Sequence, residues 1–180
     1  MNKLIRQFLP FVSLLIIIVV LAALVPDRFL TLENFLNVLR RCSVNGIIAA
    51  GMTFVIISAG IDLSVGSLMA VAGMFGAWIM VKWGGETPSQ PLMLAGTFAG
   101  ILIGAAGGLA NGVLITKVKL PPFIVTLGTM SSLRGIAYVM NDGQPYNVPT
   151  YTYLGEGTLA GIPVSIIIFA AIMIAAWLIL

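Results

Sequence analysis

Six long apolar runs dominate this sequence, and charged residues fall almost entirely between them. A helix that crosses the hydrocarbon core of a bilayer needs about 20 mostly apolar residues, which is close to the length of each run. Unpaired backbone groups are too costly in hydrocarbon, so such runs must be helical. The sequence therefore predicts an all-α, polytopic transmembrane helix bundle with about six spans, at residues 7–26, 42–61, 63–81, 92–116, 123–141 and 159–180.

The composition excludes several classes of protein. Only 8% of the 180 residues are charged, whereas about 25% of a typical soluble domain is charged. So few charges can neither cover a soluble fold nor hold nucleic-acid phosphates. Histidine is absent and Cys42 is the single cysteine, which excludes an internal disulfide and the usual Cys/His metal sites. The sequence also lacks phosphate-binding and nucleophile motifs, so we expect no enzyme activity, cofactor or metal.

The distribution of basic residues favours an N-terminus on the inner side of the membrane. Lys117 and Lys119 indicate an inner loop, and residues 146–157, which contain no lysine or arginine, indicate an outer one. Within residues 31–41, one side of a helix would carry Leu32, Phe35, Leu36 and Leu39. This pattern predicts a short helix lying at the interface. The first run, 7–26, also resembles a secretory signal peptide, but the five spans after it favour an uncleaved helix.

The most informative segment is residues 59–67, which joins two apolar runs without an ordinary loop. Its Asp62 allows two interpretations. Aspartate is a preferred helix N-cap, so Asp62 could simply cap the next helix at the membrane surface. Alternatively it is an intramembrane polar residue of a transport path, because such residues are usually functional and broken helices build substrate sites. On the second interpretation the neighbouring Ser64 and Ser67 are path candidates too.

Small residues recur at helical spacing in two of the runs. In the fourth run, glycines stand every four residues, and such a row lets another helix approach closely in lipid. The third run repeats the theme less strictly, with Gly66 and Gly73. The sequence thus predicts helix-packing positions at Gly66, Gly73, Gly96, Gly100, Gly104, Gly108 and Gly112.

Among the other polar residues inside the predicted spans, three are candidates for a role in transport. Asn111 and Thr126 bring hydrogen-bonding groups that could serve a path or join helices. Arg134 interrupts the fifth run, and three roles are open to it. Its long side chain could carry the guanidinium to a nearby interface. Alternatively, Arg134 pairs with an acid such as Asp62 or Asp142, or it faces a polar cavity.

Two motifs resemble the ribose-type sugar permeases of bacterial ATP-binding-cassette importers. They are residues 51–67 (GMTFVIISAGIDLSVGS) and residues 120–130 (LPPFIVTLGTM), and the latter precede Arg134 and a Gly-Gln-Pro triplet at 143–145. The resemblance runs over nearly the whole chain and adds Gln144 to the transport-path candidates.

This resemblance implies a multi-pass subunit of the bacterial inner membrane that forms the path for ribose or a related monosaccharide. A second permease chain, as a homo- or heterodimer, would complete the path. Two cytoplasmic ATPase subunits would supply the energy, and a periplasmic sugar-binding protein would deliver the sugar. The permease itself would do no chemistry.

The last apolar run has no polar residues after it. A spanning helix normally emerges into polar residues that anchor it at the interface. We therefore expect residues 1–180 to be the N-terminal part of a longer permease domain, without the ATPase-coupling segment and the C-terminal half that the resemblance implies.

One alternative function remains open from the residues alone. An ion-coupled secondary transporter would also contain a broken helix, and Asp62 would then be its ion site. An inverted internal repeat would favour this alternative, and none is evident within 180 residues.

Overall fold

The structure, a computed structural model, describes residues 3–148, 154–155 and 157–179. These residues form seven helices and one two-stranded antiparallel hairpin, in which Thr158 pairs with Pro163 and Leu159 with Ile162. The all-α prediction is confirmed. In chain order the elements are α1 (Lys3–Leu24), α2 (Pro26–Phe29), α3 (Leu32–Ile57), α4 (Val65–Gly84), α5 (Gln90–Thr116), α6 (Pro122–Met140), β1 (Thr158–Leu159), β2 (Ile162–Pro163) and α7 (Val164–Ile179).

Four of the helices, α3 to α6, are long and apolar enough to cross a membrane. Two shorter apolar helices lie at Phe11–Leu24 and Val164–Ile179. Each of the six apolar runs of the sequence thus contains a helix, although the first residues of the last run belong to the hairpin. The exact limits of the six spans stay a prediction. Many apolar side chains face outward, and Leu109 and Val139 are 69% and 77% exposed. Such a surface suits lipid, because exposing apolar area to water costs roughly 25 cal/mol per Å².

The expectation of a separate interfacial helix at residues 31–41 is wrong. Helix α3 begins at Leu32 and continues without a break to Ile57. Thr31 starts it, since Thr31 Oγ1 accepts the backbone N–H of Asn34 at 3.1 Å, a bond typical of helix N-caps. No glycine or proline stands between this cap and residue 46, so nothing in the sequence stops the helix at the interface.

The chain divides into two compact units, and the first comprises residues 1–47 and 155–180. Within it, α7 follows directly on the hairpin, and the Val164 N–H donates to the Gly157 carbonyl at 2.9 Å. The ring of Phe169 occupies the space where a side chain at Gly46 would stand. Glycine at that position therefore lets α3 and α7 approach each other closely.

The second unit, residues 48–154, contains α4, α5 and α6. Helix α5 runs antiparallel to α4, and backbone meets backbone where they cross. A Cβ atom at Gly96 would lie 2.7 Å from the Gly76 carbonyl oxygen, and one at Gly100 would lie 2.8 Å from that of Ala72. Two of the predicted packing glycines thus contact α4, on a face of α4 that the sequence did not single out.

The other predicted packing positions are open in the described part of the chain. No heavy atom lies within 4 Å of a Cβ built at any of them. Packing against another surface stays a prediction for Gly66, Gly73, Gly104, Gly108 and Gly112.

Candidate functional site

The site begins where α3 ends. The Gly60 N–H donates to the Val55 carbonyl and the Ala59 N–H to the Ile56 carbonyl, both at 2.9 Å. This pair of bonds is the Schellman ending, which turns the chain sharply through a left-handed residue. That residue is Ala59, with φ of 56°. A Cβ at Gly60 would lie 3.2 Å from the Val55 carbonyl oxygen, so glycine suits the tight return of the chain.

Asp62 organises the next turn. Its Oδ1 atom accepts the backbone N–H of Ser64 at 2.7 Å and the Ser64 hydroxyl at 2.6 Å. This is the local turn that aspartate side chains favour. The N-cap of α4 is Ser64, and its hydroxyl makes no cap bond to α4. Asp62 therefore holds the cap residue in place and does not itself cap the helix.

A chain of hydrogen bonds connects Thr129 of α6, through Asn111 of α5 and Ser64 at the start of α4, to Asp62. Asn111 of α5 donates from Nδ2 to Ser64 Oγ at 2.9 Å, and Thr129 of α6 donates from Oγ1 to Asn111 Oδ1 at 2.6 Å. Ser64 is 0% and Asn111 4% exposed. Each donor satisfies the next acceptor, so the chain is directional and ends on the Asp62 carboxyl group.

Thr126 attaches the beginning of α6 to the same segment. Its single hydroxyl proton is shared between the Ile61 carbonyl, 3.1 Å from Oγ1, and the Pro122 carbonyl, 2.9 Å from it. Thr126 is 1% exposed. The hydroxyl thus satisfies a carbonyl that the break between α3 and α4 leaves without a helical partner.

A cavity of about 240 Å³ lies beside this network. It is bounded by the end of α3, the break itself, the C-terminal third of α5 and the start of α6. The lining residues are Val55, Ser58, Gly60, Ile61, Asp62, Gly108, Asn111, Gly112, Ile115, Thr116, Pro122 and Thr126. In an otherwise apolar bundle, this is where polar side chains from the break, α5 and α6 converge.

Three of the predicted site residues lie elsewhere. Ser67 and Arg134 line a second cavity of about 250 Å³ between α4 and α6. Within the described residues no ion pair joins Arg134 to an acid, so the proposed pairing with Asp62 or Asp142 is not observed. Gln144 follows the C-terminal end of α6, a helix of 19 residues and so about 28 Å long, whereas Thr126 is near its start.

Sequence reasoning missed Thr129, Ser58 and Thr116. Thr129 could have been found, because it lies three residues after Thr126 and therefore on the same side of α6. Ser58 and Thr116 carried no such signal. They reach the cavity because α3 ends four residues earlier than its apolar run, and because α5 continues five residues past Asn111.

The chain was compared with protein families, curated proteins and solved structures. It is 42% identical to a ribose import permease of Haemophilus influenzae over 94% of its length. Identity is 36% to a D-allose transport system permease of Escherichia coli, over 93% of the chain. The chain is 35% identical to a xylose transport system permease of Haemophilus influenzae over 87% of its length. The chain covers 52%, 50% and 41% of these relatives, about half their length or less.

No solved structure is significantly similar to the chain. The sequence pattern of one permease family matches residues 34–180, which include every residue of the cavity and of the hydrogen-bond chain. Together with the apolar helices, this match identifies a multi-pass membrane protein. The chain therefore belongs to the permease family described as branched-chain amino acid transport system / permease component.

Proposed function

We propose that the protein is the transmembrane permease subunit of an ATP-binding-cassette importer and forms the path for a monosaccharide such as ribose. The observation that carries this proposal is the similarity to ribose, allose and xylose permeases, at 35–42% identity over 87–94% of the chain. Matches of this length include both long motifs and the residues around the break.

The distribution of polar groups supports a transport role. Asp62, Ser64, Asn111 and Thr126 converge at one end of the second unit, and polar residues within membrane segments usually mark substrate paths. We propose that these four line one part of the path. Ser67 and Arg134, in the second cavity, and Gln144, beyond α6, are proposed to belong to further parts of it.

The proposed function assigns a location and partners. The protein would reside in the bacterial inner membrane and pair with a second permease chain. Cytoplasmic ATPase subunits would drive the cycle, and a periplasmic binding protein would present the sugar. The chain would carry out no chemical step.

Antiparallel packing of α4 and α5 brings residues 58–64 to the same end as Lys117 and Lys119, and the positive-inside rule favours the cytoplasm for that end.

Uptake of radiolabelled D-ribose tests the proposal. The chain is expressed as part of the full-length permease expected from the sequence, in cells that lack their own ribose permease, together with the ATPase and the binding protein of the proposed importer. We expect uptake that requires an intact ATPase and persists with a protonophore while ATP is maintained. Uptake that continues with an inactivated ATPase but stops with the protonophore would establish the ion-coupled alternative instead.

A further inference from the structure

The cavity beside the 58–64 break is open along α5 because two of its lining residues are glycines. Gly108, Asn111, Gly112 and Ile115 follow the i, i+3, i+4, i+7 pattern and so share one face of α5. A Cβ atom at Gly108 or Gly112 would meet no heavy atom of the described chain within 4 Å. The space next to both residues is therefore free for a ligand.

The polar groups around this space are mainly acceptors. Asp62 Oδ1 already accepts two bonds, whereas Oδ2 accepts none from the described residues. The hydroxyls of Ser58 and Thr116 donate to the Val55 and Gly112 carbonyls of their own helices. Their oxygens keep lone pairs that can accept. A ligand that fits these groups must bring several hydrogen-bond donors, and a carboxyl-bearing site disfavours an anion.

The size of the cavity narrows the class of ligand. Pockets for drug-sized molecules enclose roughly 300–1,000 Å³, and this cavity encloses about 240 Å³. The cavity has room for a single ring with its hydroxyl groups.

From these observations we infer that the cavity is a subsite for one neutral monosaccharide ring. Ring hydroxyls donate to Asp62 Oδ2 and to the Ser58 and Thr116 oxygens, while Gly108 and Gly112 leave room for the ring. This inference rests on the proposed sugar transport and adds the place where the sugar binds. It also assigns the lower glycines of α5 to a ligand rather than to a packing helix.

Three substitutions of equal size test the subsite. Gly108→Leu and Gly112→Leu fill the cavity, and Gly51→Leu is the matched control, because Gly51 is equally open, does not line the cavity and is not a predicted packing position. Initial rates of D-ribose uptake, membrane levels and thermal unfolding in detergent are measured for all three and for the unaltered chain. We expect the first two to lower uptake about tenfold or more, with unchanged levels and unfolding temperature, and the control to transport normally.

The remaining outcomes separate failure of the subsite from failure of the proposed function. Normal uptake by Gly108→Leu and Gly112→Leu overturns the subsite and leaves sugar transport intact. A loss of uptake and stability in all three variants also overturns it, since the loss would then not depend on filling the cavity. If the unaltered chain takes up none of D-ribose, D-allose and D-xylose, both the subsite and the proposed function are overturned.

Discussion

The side-chain amide of Asn111 donates a 2.9 Å hydrogen bond to Ser64 Oγ and so joins residues 47 positions apart in the chain. The same amide accepts a bond from Thr129. One side chain therefore links α4, α5 and α6 where the backbone between α3 and α4 is not helical. In lipid the hydrophobic effect does not drive helices together, so hydrogen bonds of this kind and close packing must define their arrangement.

This arrangement predicts the effect of removing the amide. Asn111→Leu keeps the size of the side chain but leaves Thr129 without its acceptor and Ser64 without its donor. We expect the free energy of unfolding to fall by about 1–3 kcal/mol, measured by thermal unfolding in detergent. Asn147→Leu is the control, since Asn147 is exposed and has no recorded side-chain bond. Equal stability of the two variants would contradict a structural role for the Asn111 network.

The sequence was sufficient to predict the helices because each needs only a long apolar run. It was not sufficient to predict the face on which α4 and α5 meet. Gly66 and Gly73 are also at helical spacing, and the contacts of Gly76 with Gly96 and of Ala72 with Gly100 show that a different face is used. In lipid both faces of a helix are apolar, so hydrophobic periodicity does not distinguish the buried one.

The candidate site was also predictable only in part, because some of its residues stand out in the sequence and others do not. A lone carboxyl group in an apolar sequence is conspicuous, and Asp62 is indeed joined to Ser64 and, through it, to Asn111. Thr129 and Thr116 resemble the many hydroxyl residues that bond only to their own helix. The place of Thr116 at the cavity and the bond from Thr129 to Asn111 depend on where the helices stop and how they run, which are long-range properties of the fold.

The close crossing of α4 and α5 predicts opposite effects for two neighbouring glycines. Alanine is normally better than glycine within a helix by roughly 0.5–1 kcal/mol. Gly104→Ala should therefore leave stability unchanged or raise it. Gly100→Ala should lower it by about 1–3 kcal/mol, because its Cβ would lie 2.8 Å from the Ala72 carbonyl oxygen. The unfolding temperatures of both variants are measured in one detergent. A change of the same sign in both would contradict the observed crossing of α4 and α5.

The left-handed residue at the end of α3 gives a third prediction. Ala59 has φ of 56°, a conformation that costs a residue with a Cβ about 1–2 kcal/mol. Ala59→Gly should relieve this strain and raise the unfolding temperature, although the extra freedom of the unfolded chain offsets part of the gain. Ala49→Gly, inside the same helix, should lower it. A decrease of similar size in both variants would show that Ala59 is not strained.

Asp62 is where the structural and functional interpretations can be separated. Asp62→Asn keeps an oxygen that can accept from Ser64 but replaces the free oxygen by an amide donor, so the turn should persist. Asp62→Ala removes both side-chain oxygens, including the one that accepts from Ser64. We expect both variants to insert in the membrane and to lose monosaccharide uptake, with only Asp62→Ala also losing about 1–3 kcal/mol of stability. Glu86→Ala, in the exposed turn after α4, is the control and should transport normally. Normal uptake by Asp62→Asn would reduce Asp62 to a residue that shapes the turn, because the proposed path needs its second oxygen.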